Sequence, residues 1–159
     1  MGFSMELVRA RRRINELEAQ ISELTATIKP TMREQVDGNY IYNILNALIP
    51  GASHIYLSDS LYWLCSVADI ETFLAQDDTN KTGYISEERD CDDFSYRLMG
   101  QLSIPNWSGI AFGIVWTNLH ALNCFIDEGG KFWFIEPQTN KLQDKLEVWQ
   151  GTEILFILM

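Results

Sequence analysis

At 159 residues, with 47% hydrophobic and 12% aromatic side chains, the chain is long and apolar enough to bury a sizeable core as one globular unit. A formal charge of −10 excludes a nucleic-acid partner, because phosphate binding draws its affinity from clustered Lys and Arg. Three cysteines exclude a dense disulfide scaffold, and no apolar run has membrane-spanning length or the shape of a secretory signal peptide. The expected compartment is therefore reducing, cytoplasmic or virion-associated, with no membrane partner.

The first element is a helix in which Leu7, Ala10, Ile14, Leu17, Ile21, Leu24 and Ile28 alternate in steps of three and four, the a/d seam of a coiled coil. Isoleucine dominates a and leucine dominates d. Glu6 at g faces Arg11 at e of a neighbour, and Arg13 at g faces Glu18 at e, only when the helices run parallel. The order Arg13-Ile14-Asn15-Glu16-Leu17-Glu18 is similar to a short trimerisation signature. Residues 1–29 are thus expected to be a coiled-coil oligomerisation helix that forms a parallel homotrimer through residues 7–28. The alternative is a single amphipathic helix packed on its own domain.

Lys29-Pro30 ends that helix, since proline lacks an amide donor and restricts its predecessor, and residues 31–159 form the globular domain. The spacing of Ile41, Ile44, Leu45 and Leu48 predicts a helix over 40–49, closed by Pro50-Gly51. Ile55-Tyr56-Leu57 and Tyr62-Trp63-Leu64 read as short strands around Ser58-Asp59-Ser60, and Ser66 as the N-cap of a helix over 67–75. Asp90 then caps a helix over 91–101 whose Phe94, Leu98 and Leu102 side is buried. Strands follow at 110–117, 120–127, 131–135 and 153–158. Helices first and an antiparallel meander after them define an α+β domain.

Cys91 sits in the first turn of its helix, where unpaired amides and the helix dipole favour a thiolate. Asp90, Asp92 and Asp93 oppose this, because adjacent negative charge disfavours another anion. A cation such as Ca²⁺ taking oxygen ligands from these carboxylates resolves the conflict, while the plainer reading makes them partners of the helix dipole. His120 and Glu136 lie on successive strands. With a two-residue loop, Glu136 faces away from His120; with a three-residue loop over 128–130 it comes opposite Leu122 and shares the face of His120. Only that second register makes Glu136 the orienter of a His120 base serving a Cys91 nucleophile. An oxyanion donor beside the Cys91 amide is sought among Gln35, Gln101 and Gln143, which the sequence leaves open. Cys65 and Cys124, in apolar runs, read as core residues.

Asp90-Cys91-Asp92-Asp93-Phe94, Gly113-Ile114-Val115-Trp116, His120-Ala121-Leu122-Asn123 and Ile135-Glu136-Pro137-Gln138-Thr139 together resemble the papain-like C-terminal domain of the Marasmius-type fungal agglutinins and their bacterial and phage relatives. The resemblance covers about residues 55–140. It implies a papain-like cysteine peptidase fold, with Cys91 as nucleophile, His120 as base, Glu136 as orienter and a calcium site at Asp92 and Asp93. Two functions are expected from residues and resemblance together. One is a thiol hydrolase or related acyltransferase, with Ca²⁺ as its expected cofactor, acting on a peptide substrate and displayed on a trimeric coiled coil. The other is a non-catalytic trimeric structural protein, such as a phage virion protein bound to other virion proteins.

Overall fold

The computed structural model describes residues 2–27, 30–31, 34–49 and 54–159. Ile28, the last seam position, Lys29 and the Pro50-Gly51 closure lie outside the described residues. Helix α1 (Gly2–Thr27) forms as the heptad pattern predicts, and every residue from Met5 to Gln20 along it is exposed.

Strand β1 (Glu34–Asp37) runs directly into α2 (Gly38–Leu48). This helix starts earlier than its apolar spacing suggested because the Asp37 carboxylate accepts the Tyr40 amide at 2.9 Å and caps it. Strands β2 (Ile55–Tyr56) and β3 (Leu61–Leu64) form where expected but do not pair with each other. β3 runs antiparallel to β1 and β2 runs parallel to the last strand. Helix α3 (Val67–Gln76) carries a reciprocal cap: Ser66 Oγ accepts the Asp69 amide at 3.1 Å, and Asp69 Oδ2 accepts the Ser66 amide at 3.2 Å.

After α4 (Cys91–Leu102) come β4 (Phe112–Thr117), β5 (Ala121–Ile126), β6 (Phe132–Glu136), β7 (Lys141–Gln143) and β8 (Ile154–Leu158). The chain is α+β. The expected meander holds from β4 to β6 and is extended by β7, which was not expected from the sequence, but β8 returns to the far side of β4 and the order becomes β2-β8-β4-β5-β6-β7. Because β2 joins β8 in parallel, the sheet is mixed rather than purely antiparallel.

Every residue of β5 is buried, since both faces of the sheet are covered. On one face α2, β1 and β3 pack Ile41, Leu45, Val36 and Leu64 against Cys124, Ile126, Phe134 and Ile157. On the other, α3 and α4 pack Ile70, Phe73, Leu98 and Leu102 against Phe125 and Ile135. This alternation along β5 and β6 follows from the period of two in a strand. A polar tie fixes α4 on the sheet: the wholly buried Asn123 donates through Nδ2 to the Ser95 carbonyl at 3.0 Å and the Gly113 carbonyl at 3.3 Å. The same tie sets where the first turn of α4, with Cys91, meets the end of β5.

Gly113 is what lets β8 lie beside β4. A Cβ at that position would stand 2.1 Å from the Leu158 carbonyl oxygen, a backbone atom that cannot give way without moving the strand. Gly113→Ala is therefore expected to lower unfolding free energy by about 3 kcal/mol, the upper part of the overpacking range. Gly100→Ala, in α4 with open space around the new methyl, should raise it by about 0.5 to 1 kcal/mol. Urea titrations of the two variants check both signs; equal effects would contradict this packing account.

Candidate functional site

The site is built where β4 ends. Thr117 is buried, and its hydroxyl oxygen accepts the amides of Leu119 at 3.2 Å and His120 at 2.9 Å, closing the turn into β5. The single proton of that hydroxyl lies between the carbonyls of His120 and Gln150, so one side chain holds both the turn and the helical turn at 148–150. His120 and Gln150 are thereby brought to the end of β6, where Glu136 waits.

Strands β5 and β6 pair Ile126 with Phe132 and Asn123 with Ile135, and the Asp127 amide donates to the Lys131 carbonyl while its carbonyl accepts the Gly130 amide, so the connection is the three residues 128–130. Continuing that register sets Glu136 opposite Leu122, on the face of His120. The two side chains meet: His120 Nε2 donates to Glu136 Oε2 at 2.8 Å, with both groups buried. Gln150 Nε2 donates to the same oxygen at 3.1 Å, and the Gln138 amide donates to Oε1 at 3.2 Å. A buried carboxylate is tolerable only with such donors around it.

Gln150 passes the order outward. Its Oε1 accepts the Glu147 amide at 2.9 Å and the side-chain amide of Gln143. The remaining Gln143 oxygen, Oε1, is buried and has no hydrogen-bond partner. Gln143 itself is one of the residues lining a cleft of about 230 Å³, with Glu136, Gln138, Thr139, Trp149 and Gln150 among others. Trp149 forms the exposed wall, with its ring centroid 5.0 Å from that of His120. Lys141 and Glu147, also on the rim, form an ion pair with each other.

Cys91 is half-buried at the start of α4, and its thiol is directed at the backbone amide of Ala121, the residue after His120. Burial raises the thiol above its ordinary pKa, and Asp90 and Asp92 raise it further; the amides of Ala121 and Asp92 lower it but do not prevail. Asp90, Cys91 and Asp92 bring one donor atom each within 4.8 Å of one another. Asp92 is pushed up because the Asp90 carboxyl group faces it, and Asp90 is correspondingly pushed down. Asp93 is engaged elsewhere: its Oδ2 accepts the Asp90 amide at 3.2 Å.

The structure thus joins His120 to Glu136 and places Cys91 beside the strand end that carries them. Of the three glutamines left open by the sequence, only Gln143 lines this cleft. Gln101 lines a groove of about 340 Å³ with Phe73, Asp77 and Trp107, and Gln35 is exposed on β1. Gln150, Trp149 and Thr117 were not singled out from the sequence. Cys65 and Cys124 are fully buried, as expected of core thiols.

No family model and no curated protein matches the chain. Solved structures do. One, described as a PSL1a–E64 complex, superposes with a TM-score of 0.69 at 22% identity over 80% of this chain and 51% of its own. A second, the Polyporus squamosus lectin bound to the human-type influenza-binding epitope Neu5Aca2-6Galb1-4GlcNAc, gives 0.65 at 23% identity over 80% and 50%. The likeness establishes the fold, and the chain spans about half the length of these neighbours.

The comparison corrects the reading taken from the motifs. The fold is shared with a lectin, and this overturns the papain-like cysteine peptidase membership and the thiol hydrolase reading taken from the motifs. The raised Cys91 thiol gives a physical reason for caution with motif order: at neutral pH it is protonated, whereas nucleophilic attack begins from the thiolate. The alternative of a non-catalytic trimeric phage virion protein gains no support from the neighbours, nor do calcium or a homotrimer.

Two outcomes follow from this geometry. Glu136→Ala removes the acceptor shared by His120 and Gln150 and should cost about 3 kcal/mol in urea unfolding, with Glu136→Gln retaining part of the loss. Cys91 is the one thiol not buried, so alkylation of the folded protein reads it alone. Its rate should be low at neutral pH, climb through the alkaline range and rise severalfold in Asp92→Asn, since removing a nearby negative charge favours the thiolate. A rate already at its plateau at pH 7 would contradict the raised thiol.

Proposed function

We propose that this domain binds a carbohydrate, and that a neutral sugar unit occupies the cleft between Trp149 and Glu136. The observation that carries the reading is a cleft walled by an exposed indole and lined by Gln143, whose buried Oε1 has no hydrogen-bond partner. An orphaned buried acceptor costs about 1 to 3 kcal/mol, which a ligand hydroxyl donating to it would recover. An indole face offers apolar area to the C–H side of a sugar ring, while amides and hydroxyls such as Gln138 and Thr139 serve its polar edge. Pockets for drug-sized ligands run to roughly 300–1,000 Å³, so a cleft of about 230 Å³ suits one ring rather than an extended chain.

The lectin neighbours support the class of ligand. Charge favours a neutral member of it. The chain carries −10, Glu136 and Glu147 line the cleft, and the Lys141 cation there is already paired with Glu147. His120 acts in this reading as a rigid donor that fixes Glu136 and backs the Trp149 ring.

Calcium enters the same reading as a proposal: Asp90 and Asp92 would hold the cation, whose charge would offset the repulsion between their carboxylates. Added Ca²⁺ should then speed Cys91 alkylation at fixed pH by favouring the thiolate, and alkylation unchanged at millimolar Ca²⁺ would remove the cation from the account.

Isothermal titration with neutral galactosides and glucosides, and with the sialylated trisaccharide for contrast, tests the ligand class. Binding of a neutral sugar should weaken about tenfold in Trp149→Ala. Gln143→Leu should weaken it by a similar factor, about one lost hydrogen bond. Absence of binding across neutral glycans, or binding indifferent to both substitutions, would overturn the proposal.

A further inference from the structure

Helix α1 poses a physical problem that the sugar cleft does not address. It runs for 26 residues, yet its described seam residues are open to water, with Leu7 at 68%, Ile14 at 53% and Leu17 at 41% exposure. Isolated helices are marginal in water even at good propensity, and most are held by packing of an apolar stripe. The apolar residues here recur as a narrow seam rather than the broad stripe of a helix that lies on a globular body, and charges flank them.

We infer that α1 is an interaction surface whose partner is a second copy of this chain, packed in parallel through Leu7, Ile14 and Leu17. Charge complementarity names the occupant. In a parallel pairing the g position of one helix meets the following e position of the other, which sets Glu6 against Arg11 and Arg13 against Glu18, both attractive. A partner of different sequence would need the same seam and the reciprocal charges; a second copy has them by identity. Within the helix, Glu16 accepts Arg12 Nε at 3.2 Å and lies 3.5 Å from Arg13 Nη1, so Arg13 exchanges an exposed intrahelical pair for Glu18 of the second copy, while Glu6, Arg11 and Glu18 supply the other facing charges. Assembly would present the globular domains side by side, and so the clefts of several copies to one multivalent surface.

Sedimentation equilibrium of the full chain decides the matter. The expected mass is a whole multiple of 18.3 kDa, falling on dilution. Ile14→Asp should give a monomer with reduced helical far-UV signal, and because residue 14 is exposed, the near-UV spectrum of the sheet domain should be unchanged. Glu18→Arg and Arg13→Glu should each weaken association about twofold to fivefold, as expected of one lost attraction made repulsive. The double variant R13E/E18R should restore it. A mass of 18.3 kDa for the unaltered chain at tens of micromolar, or association untouched by Ile14→Asp, would overturn the inference. Losses that add in the double variant would overturn the parallel pairing.

Discussion

A carboxylate buried at the end of β6 is the constraint around which the site is arranged. Glu136 cannot remain charged in that position without donors, and three different parts of the chain supply them: the turn before β5 through His120, the helical turn at 148–150 through Gln150, and the tight turn after β6 through the Gln138 amide. None of these segments is a regular element. Each is held at its own base, with Thr117 tying the first two together. The rigidity of a loop-built site therefore comes from satisfying one buried charge.

That arrangement accounts for the character of the cleft. The hydrogen bonds run in one direction, from His120 and Gln150 to Glu136 and from Gln143 to Gln150, and they leave one acceptor, Gln143 Oε1, at the end of the chain. Polar networks of this kind are stabilising when every member is satisfied and costly when one is not. A ligand hydroxyl completes the set, and Trp149 provides the apolar wall against which the ligand is held. The binding surface and the stability of the surrounding turns are in this sense the same network.

Much of the scaffold was legible from residue order. The Ser66 cap, the α4 start at Asp90 and the strands from 110 to 136 follow from caps, apolar period and turn residues, all local signals. The loop between β5 and β6 stood open between two and three residues in the sequence, and its three-residue form in the structure is what sets Glu136 on the face of His120. What escaped was non-local. β8 crosses to β4 because Gly113 leaves room for the Leu158 carbonyl, and nothing in the order of residues announces that contact. Gln150 and Trp149 likewise belong to a segment with no periodic pattern, recruited by Thr117 from 33 residues away. The order of a cysteine, a histidine and a glutamate suggested a nucleophile, and the aspartates beside it already argued the other way; the structure adds burial, which with Asp90 and Asp92 raises the Cys91 thiol above its ordinary pKa.

The most direct test of the account is nuclear magnetic resonance of side-chain N–H groups during titration with a neutral hexoside. If the sugar lies between Trp149 and Glu136 and completes the Gln143 acceptor, the Trp149 indole and the Gln143 and Gln150 side-chain amide signals should move together, along one saturating curve. The indole signals of Trp107 and Trp133, which belong to the opposite core layer, should stay in place. A titration in which the Trp149 and Gln143 signals never move, or in which they move no more than those core indoles, would contradict the claim that this cleft is the ligand site.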